Sequence, residues 1–337
     1  MRLVCTVLAL TALAAMTAPA HGENPTSQTP TTEQTAASNG QSVAAIQVTA
    51  PADSARPAAV RRGNWLIEET ENFSICRPLN YRYNASAGEE LEKARAELQA
   101  AWLPNVTAAP WRPKCQIVLH GSREGYLQAV GRGAEATTGS ALVDFNSQGI
   151  GLRKIDIRGD RADWFTAALT HELTHVVLAD RFITVAIPHW ADEGMAILAD
   201  TPAKRDRHAV DLRDALGAGA EFRLAELLTL GGYPQARRMG AFYGQSASLV
   251  AYLTTIGTRE QLLAMVERSS SHGYDVALRE IYKIESVRHL ERDWRQHVAS
   301  NRQSVAKSSA PAKPAINQTA ATAATPATEP TGAAAMD

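Results

Sequence analysis

Cysteine is scarce in this chain: three residues in 337, at positions 5, 76 and 115. That excludes a disulfide-dense scaffold, and the wide spacing excludes a zinc-knuckle pattern. An excess of charge of one sign is also missing. The 34 Lys and Arg face 35 Asp and Glu, for a formal net charge of −1. Without a basic excess there is no electrostatic footprint for nucleic acid or an anionic membrane surface. Long apolar runs are absent apart from Leu3 to Ala15, which falls short of the ~20 residues a bilayer-spanning helix needs. No internal repeat is present, so a solenoid is excluded.

The apolar run follows Arg2 and leads to Ala18-Pro19-Ala20, the small-x-small pattern of a signal cleavage site. Residues 1–20 therefore read as a secretory signal, and the protein is expected outside the cytoplasm, periplasmic or extracellular. An uncleaved membrane anchor is the alternative. No transmembrane segment is expected after signal removal. Cys5 leaves with the signal, and the remaining pair in an oxidising compartment predicts a Cys76–Cys115 disulfide. Residues 21–60 and 303–337 are rich in Ala, Thr, Pro, Ser and Gln. Such segments bury too little apolar surface to offset their ordering entropy, and both read as disordered.

Between them the pattern is mixed. Residues 64–75 read as a strand, 88–102 as a helix with Leu91, Ala94, Leu98 and Trp102 at helical spacing, and 114–120 as a second strand. Ser122 caps a short helix, and 140–145 and 151–157 form a hairpin across Asn146-Ser-Gln-Gly149. From Asp163 the period becomes helical, and it stays so to about residue 300. The fold class is thus α+β, a mixed β-sheet with helices followed by an all-helical region. The expected lobes are 61–185 and 186–302.

One polar group interrupts the apolar helix at 163–180: His171-Glu172-Leu-Thr-His175. Positions i and i+4 share a helix face, so both imidazoles can reach one metal ion. Glu172 is rotated by about 100° and does not ligate, but sits where a water would be. Two imidazoles and one carboxylate hold Zn²⁺ with the fourth position open to water, whose pKa falls toward ~7. Glu172 then serves as the base. The continuation for a third His ligand would need Gly at 178 and His at 181, but Leu178 and Arg181 stand there. Glu193, in the first turn of the next helix and followed by Gly194 and Ala196, is the best remaining ligand, with Asp192 as the alternative.

His171-Glu-Leu-Thr-His175 followed by Pro188-His-Trp-Ala-Asp-Glu-Gly194-Met-Ala196 resembles the gluzincin metallopeptidases, and within them the peptidase MA-like group. The resemblance implies a zincin-like fold, zinc on His171, His175 and Glu193, and Glu172 as the catalytic carboxylate. It also implies an oxyanion-binding Tyr, matched by Tyr243 in Phe242-Tyr-Gly-Gln-Ser246, with Ser246 where the family has Gly. A sheet edge over the cleft, here 140–145, would receive a protein or peptide substrate as an added strand. No motif for gripping a free amino terminus is visible, so an endopeptidase is expected. The competing reading is a zinc-containing scaffold of the cell envelope that does not turn over.

Overall fold

The computed structural model describes residues 4–7, 59–81, 87–131 and 133–308. Most of the expected signal, the 21–60 spacer and the end of the tail lie outside them.

Seven strands form one sheet in the order β1-β6-β7-β5-β4-β3-β2. They are β1 (Val4–Val7), β2 (Val60–Arg62), β3 (Trp65–Glu69), β4 (Phe73–Pro78), β5 (Cys115–His120), β6 (Gly139–Asn146) and β7 (Gly149–Arg158). Strands β4, β5 and β7 run parallel, and the others pair antiparallel. Helix α1 (Ala87–Trp102) makes the crossover from β4 to β5, and α2 (Arg123–Val130) follows β5. The architecture is α+β, with a largely helical second half.

The register sorts side chains onto two faces. Ile75, Ile117, Ile155 and Ala141 stand opposite one another along the ladder, as do Leu119, Ile157 and Gly139. Ile75, Ile117, Leu119, Ile155 and Ile157 are fully buried. The other face carries Cys76, Val118 and Asp156.

This register rules out the expected disulfide. Strands β4 and β5 are neighbours, but Cys115 stands opposite Phe73 and Cys76 opposite Val118. Three residues along a strand is about 10 Å, and an odd offset puts the two thiols on opposite faces. A disulfide needs Cα atoms about 4.4–6.8 Å apart. Both cysteines are free, and burial pushes each thiol pKa up.

The stretch 64–75 is also two strands rather than one. Chain reversal occurs at Thr70–Asn72, where the Phe73 carbonyl accepts from the Thr70 N–H at 2.9 Å. Glu92 of α1 holds that turn by accepting from the Thr70 hydroxyl at 2.6 Å and the Asn72 side chain at 2.6 Å. The polar turn residues are stabilised by a helix twenty positions away, which strand periodicity does not register.

After β7 the chain makes one wide π-helical turn, Phe165–Leu169, and tightens into α3 (Thr170–Leu178). Pro188 supplies an extended cap for α4 (His189–Leu198), where its missing N–H leaves no unmet donor. Then come α5 (Pro202–Ala218), α6 (Leu224–Leu228), α7 (Met239–Ile256), α8 (Arg259–His272), the short α9 (Tyr274–Ala277) and α10 (Val287–Ser308). Among the described residues no helix is long and apolar enough to cross a membrane.

Two glycines bring α4, α5 and α7 together. A Cβ on Gly194 would lie 2.5 Å from Val250 Cγ2 and 2.6 Å from the Ser246 carbonyl oxygen; one on Gly244 would lie 2.4 Å from the His208 carbonyl oxygen. Alanine is the better helix former by ~1 kcal/mol, but here it meets backbone that cannot swing aside. Gly194→Ala is expected to destabilise the protein by about 1–3 kcal/mol, read as a lower urea midpoint. An unchanged midpoint would mean that α4 and α7 do not pack this closely.

Candidate metal centre

Helix α3 carries His171, Glu172 and His175, and α4 carries Glu193. All four are at least 97 % buried. One ligand atom from each of His171, His175 and Glu193 falls within 4.8 Å of the others. The imidazoles lie one turn apart, ring centroids 5.1 Å from each other. Their Nδ1 atoms are already engaged. His171 Nδ1 donates to Asp200 Oδ2 at 3.0 Å, and His175 Nδ1 to Asp192 Oδ1 at 2.8 Å. A carboxylate on Nδ1 fixes the ring orientation and, in the neutral imidazole, holds the proton there, so that Nε2 is the nitrogen that can ligate.

On these four residues, four buried atoms have no hydrogen-bond partner among the described residues: His171 Nε2, His175 Nε2, Glu193 Oε2 and Glu172 Oε2. Leaving one such atom unmet costs about 1–3 kcal/mol, and three of them, on His171, His175 and Glu193, lie close enough together to share one partner. Two ligands held at about 2.0–2.1 Å from a tetrahedral metal lie roughly 3.4 Å apart. His171 Nε2 and Glu193 Oε2 are 3.4 Å apart and make no hydrogen bond to each other. The donor set of two nitrogens and one oxygen fits a divalent transition metal.

Electrostatics separates the two glutamates. Burial pushes the Glu172 carboxyl up to about 7, against the opposing pull of His171 and His175. Burial alone would also raise Glu193, but His171, His175 and the Tyr233 hydroxyl hold it below the usual carboxylate range. Burial disfavours charge on both imidazoles, yet Asp200 keeps the His171 pKa well above its ordinary value and Asp192 raises that of His175. Room for Glu172 comes from Gly139 of β6, where a Cβ would stand 2.7 Å from Glu172 Cγ.

Three neighbours of the site were not legible as such in the sequence. Asp192, which reads as an alternative ligand, instead holds His175. Asp200, just past α4, holds His171 and is itself bound by Lys204 at 3.0 Å. Tyr233, in the Gly231-Gly-Tyr-Pro234 loop, donates its hydroxyl to Glu193 Oε1, leaving Oε2 as the free oxygen. Burial, with the Glu193 carboxylate next, pushes the Tyr233 pKa up, so it stays a donor. Tyr243 is buried on α7, its ring 5.6 Å from that of His208. The only sequence signal for Asp200 and Tyr233 is their helix-breaking surroundings, Thr-Pro and Gly-Gly.

Beside His175 lies an apolar pocket formed by Ala141, Val143 and Phe145 of β6 with Ala179, Phe182 and Ile187. Its volume of about 40 Å³ is room for about three waters. The outer side of β6, expected to be a free edge, pairs antiparallel with Val4–Val7. An extended strand does add there, and it comes from the chain's own N-terminus.

No curated protein matches the chain. A family model does: residues 101–300 match the Peptidase MA superfamily, a span that contains α3, α4 and every residue of the cluster. The family match thus covers more than half of the sequence and includes a trio of residues that could hold a metal ion, and the chain belongs to the peptidase MA superfamily.

Proposed function

We propose that this protein is an exported zinc metallopeptidase of the gluzincin type, cutting within peptide chains. The observation that carries the reading is the set of four orphaned buried atoms, three on metal ligands and the fourth on Glu172. A scaffold that only held metal would need the first three and not the last. His171, His175 and Glu193 would hold the ion, with zinc favoured by the N/N/O donor set. When bound, zinc supplies Lewis acidity, making water acidic and polarising a carbonyl.

The remaining work falls to the chain's own residues. Asp200 and Asp192 keep both imidazoles in one tautomer and orientation. Glu172, not restrained by any hydrogen bond at Oε2, takes the proton from the attacking water and delivers it to the leaving amine. Tyr233 orients Glu193, and Tyr243 is assigned to the developing oxyanion. Signal removal would carry Val4–Val7 away from β6, and a substrate strand would take its place, with one side chain directed into the pocket beside His175. A cavity of that size and lining favours a branched aliphatic group.

The test is to incubate the zinc-loaded protein, lacking residues 1–20, with an unstructured protein and sequence the products. Internal cuts beside Val, Leu or Ile, stopped by a chelator, are expected. Ala141→Leu fills the pocket and is expected to lower kcat/KM on those sites by roughly tenfold or more. Trimming from an end only, or cleavage indifferent to chelation, would overturn the assignment.

A further inference from the structure

A second cleft, of about 700 Å³, opens at the carboxyl ends of the parallel strands β4 and β5. Open α/β sheets bind ligands at such strand ends, and sites for small molecules occupy roughly 300–1,000 Å³. By register it belongs to the sheet face opposite the metal centre: Trp65 is paired with Pro78 and Ile67 with Cys76, on the face that carries Val118 and Asp156. Its walls include Trp65, Asn80, Tyr81, His120, Ser122 and Gln128. No Lys, Arg, Asp or Glu lines it among the described residues.

Three features of the lining bear on what the cleft could hold. Trp65 keeps 36 % of its surface exposed, beside Leu79 at 37 %. Tyr81 is half-buried, its ring packed near Gly159. His120 is 93 % buried; its Nε2 donates to Asp156 Oδ1 at 2.8 Å, and Lys154 holds the other Asp156 oxygen at 2.7 Å. That charged pair anchors the imidazole through Nε2 and leaves Nδ1 on the side of Gly125. The Trp65 ring stands edge-on to the imidazole, centroids 6.4 Å apart. The wall is completed by a glycine: a Cβ on Gly125 would meet His120 Nδ1 at 3.9 Å and Ser122 Oγ at 3.5 Å. Any longer side chain there would lie over both.

From this lining we infer that the cleft binds an uncharged glycan, a short oligosaccharide of neutral or N-acetylated sugars. Aromatic faces beside carboxamides, a hydroxyl and an imidazole match the alternating C–H and O–H surfaces of a pyranose ring. The lack of a cation argues against phosphate, sulfate or uronate ligands, whose charge would go unpaired. The site is independent of the metal centre and of the peptidase reading, and it would anchor the protein on a glycan-bearing surface.

The experiment is calorimetric titration of the full exported chain with N-acetylglucosamine oligomers. Sulfated oligosaccharide, inorganic phosphate and a proline-rich peptide serve as comparison probes. The N-acetylglucosamine oligomer is expected to bind and quench tryptophan fluorescence, with unchanged affinity after metal stripping. Trp65→Ala is expected to weaken it roughly tenfold or more. Gly125→Leu removes no binding group and suits a helix, and it is expected to block binding while leaving the thermal midpoint and peptide cleavage intact. Absence of binding, preference for an anionic probe or for the peptide, or binding that Gly125→Leu leaves unchanged would each overturn the inference.

Discussion

Glu172→Gln is expected to retain its metal and to lose about 10²–10⁴-fold in kcat. The substitution is nearly isosteric, so the space opened by Gly139 still accommodates it. What it removes is the lone pair that accepts a proton. In the native chain burial brings the Glu172 pKa up to about 7, matched to taking a proton from water near neutrality. A bound cation pulls that value down, so the acid limb of the kcat/KM profile is expected below pH 7, where Glu172 becomes protonated and cleavage falls. If Glu172→Gln cleaved at the native rate, the proton would be moving through another group and the mechanism given above would be wrong.

The second large effect is on stability. In metal-free protein the convergent atoms of His171, His175 and Glu193 are buried without partners, and the folded state carries that cost. Zinc that binds only the native state stabilises by about 4 kcal/mol at a thousandfold excess over Kd. For a domain of this size that raises Tm by roughly 8–16 °C. Scanning calorimetry with and without chelator measures it. Glu193→Ala is expected to abolish most of the shift, and Asp200→Asn to weaken metal affinity about 10–100-fold by freeing the His171 ring. A Tm indifferent to chelator would mean that nothing binds between α3 and α4.

How much of this could be read without coordinates depends on the distance over which each feature is set. The pairing of His171 with His175 is a property of one helical turn, and Pro188 marks the start of α4 by local chemistry. The approach of Glu193 to that pair was legible because Gly194 and Ala196 signal a close helix contact, and the structure sets Gly194 against the Ser246 carbonyl. Features fixed by pairing across the fold were not legible. The Cys76–Cys115 bond fails on a three-residue register offset that parity of cysteines cannot reveal. The turn at Thr70–Asn72 is held by Glu92, and the orientation of Glu193 by Tyr233, forty positions along the chain. Each depends on where two distant segments meet.

The most direct measurement is the zinc content of the purified chain by mass spectrometry, for the native sequence, Glu172→Gln and His175→Ala. A site of two imidazoles and one carboxylate should yield about one zinc per chain in the first two and almost none in the third. Less than about half an equivalent in the native protein, or equal content in His175→Ala, would contradict the metal centre on which the proposed peptidase rests.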